Sequence, residues 1–210
     1  MADVLYIHGM GGGADSRIPS ILGESLACRG VSLHVRTYDF DPETAAVQIA
    51  TWREEIKPDL VIGESLGALH AIRIKGVPHL LVSPALNAPL YFELMAWISL
   101  IPGMTRIFDR IYEPREGDRQ SLHFIFRTLR KYRNHRKAAL ALSPRNGGKD
   151  SFLAFIGARD HYRRSGVVSL RTWKKYFGET FDLYEGTHFM EEEHIISKLI
   201  PIICNMLDIK

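Results

Sequence analysis

Short strand-like stretches, several of them almost continuously apolar, alternate with helix-like stretches along most of this chain, and that alternation restricts the fold more than any other feature. Val4 to Ile7, Leu33 to Tyr38, Leu60 to Ile62, His79 to Ser83, Phe152 to Ile156 and Phe181 to Tyr184 read as strands. Helical segments separate most of them, at about Ile18 to Arg29, Glu43 to Ile56, Leu66 to Lys75, Gly166 to Phe177 and Glu191 to Leu207. A strand with no polar alternation is buried on both faces, as in a parallel sheet covered by helices. Helices between successive strands supply the crossovers that parallel pairing requires. The expected class is α/β, with an open, mostly parallel six-stranded sheet and helices on both faces. At 210 residues and 46% hydrophobic content, the chain suffices for a single domain with a real core.

One interval breaks the pattern. Residues 84–150 contain no convincing strand, only two or three helix-like stretches punctuated by Pro89, Pro102, Pro114 and Pro144. That length between two strands indicates an insertion rather than a loop. The expectation is one domain, 1–210, with 84–150 as a helical cap. Within it, Leu86 to Ile101 is strongly apolar but too short for a membrane span, and it contains Pro89 and Glu93. A packed helix or a lid over a site accounts for it better than a membrane-surface helix.

The chemistry concentrates at Gly63-Glu64-Ser65-Leu66-Gly67, where an apolar strand turns at once into a helix. A serine becomes a useful nucleophile when it projects beyond a sheet beside a base. A tight strand-to-helix turn achieves this with a strained serine backbone. Side chains two positions away on either side would collide as the helix folds back, and Gly63 and Gly67 remove them. The base must in turn be oriented by an acid. Asp160 follows the strand FLAFI, and His188 follows the strand FDLY. Both lie just past C-terminal strand ends, the edge where open parallel sheets place their sites. An aspartate there is also a common helix cap, and a loop histidine is commonly a surface residue. His161 and His194 compete for the role of base, and Glu185 for that of acid. Glu64 is expected beneath the turn in a structural hydrogen bond.

The successive stretches YIHGMGGG, VIGESLGALHA, FIGARDHY and YEGTHFM resemble the landmarks of the alpha/beta-hydrolase superfamily, most closely its compact bacterial esterase-like members. The resemblance covers nearly the whole chain outside the insertion. It implies a sheet of about six parallel strands, a Ser-Asp-His chain order, no cofactor, and a cap inserted after the strand that follows the nucleophile turn. Under it, Ser65, His188 and Asp160 form a catalytic triad. The oxyanion hole takes the backbone amide of Leu66 and one from the loop after the first strand, with Met10 favoured and Gly11 next. His8 packs or hydrogen-bonds beneath that loop. The implied activity is a serine hydrolase cleaving a small ester or thioester through an acyl-enzyme.

Two rivals stand beside it. Gly9 to Ala14 also fits G-x-G-x-x-A after a strand, with Asp39 following the next one, the outline of a dinucleotide site. A hydrolase fold used only for binding is the other. No H-E-x-x-H or comparable histidine cluster suggests a metal. From Arg106 to Lys149 there are 12 Lys or Arg against 4 Asp or Glu, concentrated in HFIFRTLRKYRNHRK. A solvated basic face is the plain explanation. The sharper one has Arg127 and Arg130 overhanging the site to attract an anionic ester, with Tyr91, Phe92 and Trp97 holding its acyl part. The overall net charge of +3 is too small to indicate a nucleic-acid partner. Cys28 and Cys204 read as buried thiols, and the N-terminus has no signal-peptide pattern, so the expected location is cytoplasmic.

Overall fold

The computed structural model describes residues 2–113 and 117–209, so Pro114 lies outside the described residues. Strands β1 (Ala2–Ile7), β2 (Val31–Val35), β3 (Leu60–Glu64), β4 (His79–Val82), β5 (Phe152–Gly157) and β6 (Phe181–Tyr184) form an all-parallel sheet in the order β2-β1-β3-β4-β5-β6. The chain begins one strand in from an edge, adds β2 at that edge, and then crosses back over β1 to build outward toward β6.

The near-continuous apolarity of the inner strands follows from their place between two cores, whereas the edge strands β2 and β6 carry Ser32, His34 and Asp182. Leu5, Ile7, Val61, Leu81 and Ile156 face one core, while Val4, Tyr6, Leu60, Ile62 and Leu80 face the other. Helices α2 (Pro42–Ile56) and α3 (Gly67–Ala71) cover the first face together with α6 (Phe126–Ala141). Helix α1 (Arg17–Ala27) and the C-terminal helical run cover the second. On α1, Ile18, Leu22 and Leu26 make the buried stripe at helical spacing. Cys28, past the end of that stripe, is exposed, and Cys204 is only half-buried, so neither is the buried thiol expected.

Several boundaries differ from the sequence reading for identifiable reasons. β2 covers Val31–Val35, its last pair being Val35 with Tyr6, and β1 ends at Ile7, which leaves Thr37 and Tyr38 no neighbour to pair with. α3 stops at Ala71, where His79 Nε2 lies 3.0 Å from the Ala71 carbonyl and 2.9 Å from that of Ile74. The helix expected from Gly166 starts only at Leu170, as α8 (Leu170–Phe177), capped by Ser169 Oγ on the Thr172 amide, and a short helix not expected from sequence, α7 (His161–Ser165), precedes it and is ended by Gly166 at φ 81°. The last helix is α9 (Glu192–His194), a π-helical turn over Ile195–Leu199, and α10 (Ile200–Met206). The wide turn falls just before Pro201, which has no N–H to give the i→i−4 ladder. The chain between β4 and β5 carries α4 (Ala88–Ser99), α5 (Met104–Ile111) and α6.

Burial makes the fold sensitive to acid. His8, His70, His79 and His135 are buried, and desolvation pushes each below the ordinary histidine range, His135 to about 3. These rings are neutral in the fold but take up protons in the unfolded chain near the free value of 6.5. Stability is therefore fully present above that value and falls as pH drops below it, by up to ~1.4 kcal/mol per pH unit for each strongly shifted ring. Urea unfolding followed from pH 7.5 to 5, a window above most carboxylate titration, should show a steadily falling midpoint. A midpoint independent of pH there would contradict this account.

Candidate active site

The turn after β3 is as tight as its sequence requires. Ser65 sits at φ 49°, in the left-handed region a side chain rarely occupies. A Cβ at Gly63 would come within 2.6 Å of the Ala71 Cβ, and one at Gly67 within 2.3 Å of the His8 carbonyl oxygen. The strained turn is held by its neighbours: the Ser65 amide donates to the Val82 carbonyl at 2.9 Å, and the Ala85 amide donates to the Ser65 carbonyl at 3.0 Å.

Loops after β5 and β6 bring the next two residues together. The Ala158 amide donates to the Tyr184 carbonyl at 2.7 Å, and the Arg159 amide to the Gly186 carbonyl at 2.9 Å, which closes one loop upon the other. His188 Nδ1 then lies 2.8 Å from Asp160 Oδ2, and His188 Nε2 lies 2.9 Å from Ser65 Oγ. A carboxylate only accepts, so Nδ1–H donates to Asp160, which leaves Nε2 to accept from the serine hydroxyl. Asp160 and His188 are both buried. The Tyr162 ring meets the imidazole edge-on, with centroids 4.6 Å apart. Of the competing groups, His161 and Glu185 are exposed, while His194 lies beside Glu191 in the last helix. Glu64 accepts from Tyr6 Oη at 2.8 Å, and burial, with the Glu64 carboxylate beside it, holds the phenol well above its usual range.

Beside Ser65 runs the loop after β1. Gly9 passes so close that a Cβ there would sit 3.1 Å from the Ser65 Cβ. The Gly11 amide donates to Gln120 Oε1 at 3.1 Å. Among the described residues nothing accepts from the amides of Met10 or Leu66, and both residues line the same cavity as Ser65 and His188. His8 lies under the loop, its Nδ1 2.8 Å from the Gly9 carbonyl and its ring stacked on Tyr38 at 4.5 Å.

The cavity, about 440 Å³, is walled on its far side by Tyr91, Phe92 and Met95 of α4 together with Tyr112 and Phe124. Tyr91 and Phe92 thus reach it. Trp97, Arg127 and Arg130 do not: they line a separate groove of about 1060 Å³ on the other side of α4. The reason is helical phase, since Phe92 and Ala96 turn inward while Trp97 points outward. Gln120 was not singled out from sequence. It is buried, accepts from Gly11, donates through Nε2 to the Tyr38 carbonyl at 3.1 Å, and donates its own amide to the Gly12 carbonyl at 2.9 Å. A lone glutamine in an irregular stretch carries no signal that would have found it. Its neighbours fill the space along the glycine run, where Gly13 pairs with Arg119 and a Cβ at Gly13 would overlap the Asp118 carbonyl.

Solved structures share this architecture. Alpha/beta hydrolase domain-containing protein 10 from mouse superposes with a TM-score of 0.64 at 15% identity, over 98% of this chain and 89% of that one. Est1E from Butyrivibrio proteoclasticus gives 0.63 at 14% identity, over 99% and 88%. A putative hydrolase from Agrobacterium vitis S4 gives 0.64 at 14% identity, over 98% and 87%. The chain has the alpha/beta-hydrolase fold. No family model and no curated protein matches the sequence. In this alpha/beta-hydrolase fold no helix among the described residues is long and apolar enough to cross a membrane. Nor does any group of three or more described His, Cys, Asp or Glu residues suit a metal ion.

Proposed function

We propose that this protein is a serine hydrolase that cleaves a small carboxylic ester or thioester through an acyl-enzyme. The observation that carries the reading is the continuous relay from Asp160 through His188 to Ser65, at 2.8 and 2.9 Å, ending beside two unengaged amides. Ser65 Oγ attacks the substrate carbonyl carbon while His188 Nε2 takes the hydroxyl proton. Asp160 stabilises the imidazolium. The amides of Met10 and Leu66 donate to the tetrahedral oxyanion, and the protonated histidine returns its proton to the leaving oxygen or sulfur. Water then repeats the sequence on the acyl-enzyme. Under this reading residues 84–150 form a cap within a single domain, and Tyr91, Phe92 and Met95 hold the acyl portion. The glycine run serves the oxyanion rather than a dinucleotide, since residues 118–120 occupy the space along it.

Reaction of the purified chain with a fluorophosphonate probe tests the reading directly. Covalent labelling at Ser65, followed by turnover on a panel of p-nitrophenyl esters and acyl thioesters, is the expected result. A serine that fails to label, with no turnover on either series, would leave a hydrolase fold used only for binding.

Gln120 has a measurable place in the same scheme. Its side chain fixes the loop that offers the Met10 amide, so Gln120→Ala should lower kcat by roughly 10- to 100-fold, the scale of a misplaced oxyanion donor. KM should change little, because the ground-state carbonyl gains less from that donor than the oxyanion does. Equal losses in kcat and in thermal stability-corrected folded fraction would mean that Gln120 only supports the fold.

A further inference from the structure

A second feature of the insertion lies outside this site. On α4, Leu90, Leu94, Trp97 and Ile101 follow one another at helical spacing along its length and just past its end, and they are 50, 63, 58 and 56% exposed. On α5, Ile107 and Ile111 repeat the pattern one turn apart, 48 and 65% exposed, and no residue of α5 is buried. Apolar stripes of this extent are uncommon on an isolated protein and mark a surface that is covered in use.

Charge decides what covers it. Leu90 and Trp97 are also the wall of the groove lined by α6, so the stripe and that groove share an edge. Helix α6 carries six Lys or Arg and no acidic residue. Four of these are engaged: Arg130 and Arg133 share Glu93, Lys131 lies between Asp41 and Glu43, and Arg136 donates to the Leu86 carbonyl and Asn87. Arg127 and Lys137, with Arg106 and Arg110 of α5, are exposed and have no carboxylate partner among the described residues. A second copy of this chain meeting the same face about a two-fold axis would set these cations against one another. A polynucleotide would satisfy the cations but leave the aliphatic stripe in water.

We propose that α4, α5 and the basic face of α6 form a docking surface for a bilayer with anionic headgroups. Leu90, Leu94, Trp97, Ile101, Ile107 and Ile111 enter the boundary between headgroups and acyl chains, and the flanking guanidinium and ammonium groups meet lipid phosphates. Docking uses neither Ser65 nor His188, so it is independent of the catalytic reading. The Ser65→Ala variant should bind like the unaltered chain.

The test is co-sedimentation of the full chain with vesicles of phosphatidylcholine alone, or of phosphatidylcholine with one-third phosphatidylglycerol, alongside tryptophan emission. Trp173 is fully buried and Trp52 half-buried, so a blue shift reports on Trp97. Partition and a blue shift on the anionic vesicles alone, reversed by salt, are expected. The charge reversals Arg127→Glu and Lys137→Glu together should weaken partition by roughly 100-fold. Leu94→Gln with Trp97→Gln should abolish it, with circular dichroism unchanged because both side chains are exposed. No partition onto either vesicle, or equal partition onto both, would overturn the proposal. So would a concentration-dependent dimer in sedimentation equilibrium that shifts Trp97 emission without lipid.

Discussion

Ser65→Ala is expected to remove essentially all turnover, on the order of a millionfold in kcat, while leaving the fold in place. Under the proposed reading the loss is large because the Ser65 hydroxyl forms the acyl-enzyme, and its proton has a ready acceptor in His188 Nε2 at 2.9 Å. The structural cost is small, because alanine keeps the Cβ and the backbone bonds to Val82 and Ala85. His188→Ala should cost about as much, and the double variant little more, since the two residues act as one unit. Ester hydrolysis measured against a no-enzyme blank, with thermal melts in parallel, checks both points. Full activity in Ser65→Ala would end the serine-hydrolase reading, whatever happened to His188→Ala.

What the sequence made visible was local and periodic. Nearly continuous apolar runs marked the inner strands, because burial on both faces of a parallel sheet leaves no room for alternation, while the edge strands β2 and β6 carry polar residues such as His34 and Asp182. Gly63 and Gly67 marked the turn at Ser65 because any larger side chain would overlap neighbouring backbone or side-chain atoms there. Element ends were harder to see, since they depend on partners distant in the chain. His79 ends α3 from eight residues away, and β2 stops where its neighbour β1 does. The outward phase of Trp97, which separates the basic groove from the cavity beside Ser65, depends on how α4 packs against α6 and could not be read from composition. Gln120 acts across 109 positions on Gly11, and nothing in its own neighbourhood announces that.

Asp160→Asn should lower kcat by about ten-thousandfold, the scale seen when a triad acid becomes an amide. The geometry gives the reason and separates two roles that the sequence left as alternatives. Asp160 is both a helix cap and the partner of the histidine, using a different oxygen for each: Oδ1 accepts from the Tyr162 amide at 2.8 Å, while Oδ2 faces His188 Nδ1 at 2.8 Å. Asparagine can keep the first bond, because its carbonyl oxygen caps α7 as well as a carboxylate oxygen does. That choice turns its NH2 group toward Nδ1. The imidazole must then accept at Nδ1 and carry its proton on Nε2, where it points at Ser65 Oγ and cannot take a proton from it. The variant should therefore melt within a few degrees of the unaltered chain yet hydrolyse esters almost not at all at neutral pH, and fluorophosphonate labelling should slow in step. Asp160→Ala, which removes the cap as well, should lose both activity and stability. An unchanged rate in Asp160→Asn would place the acid elsewhere, and the exposed Glu185 would be the next residue to replace.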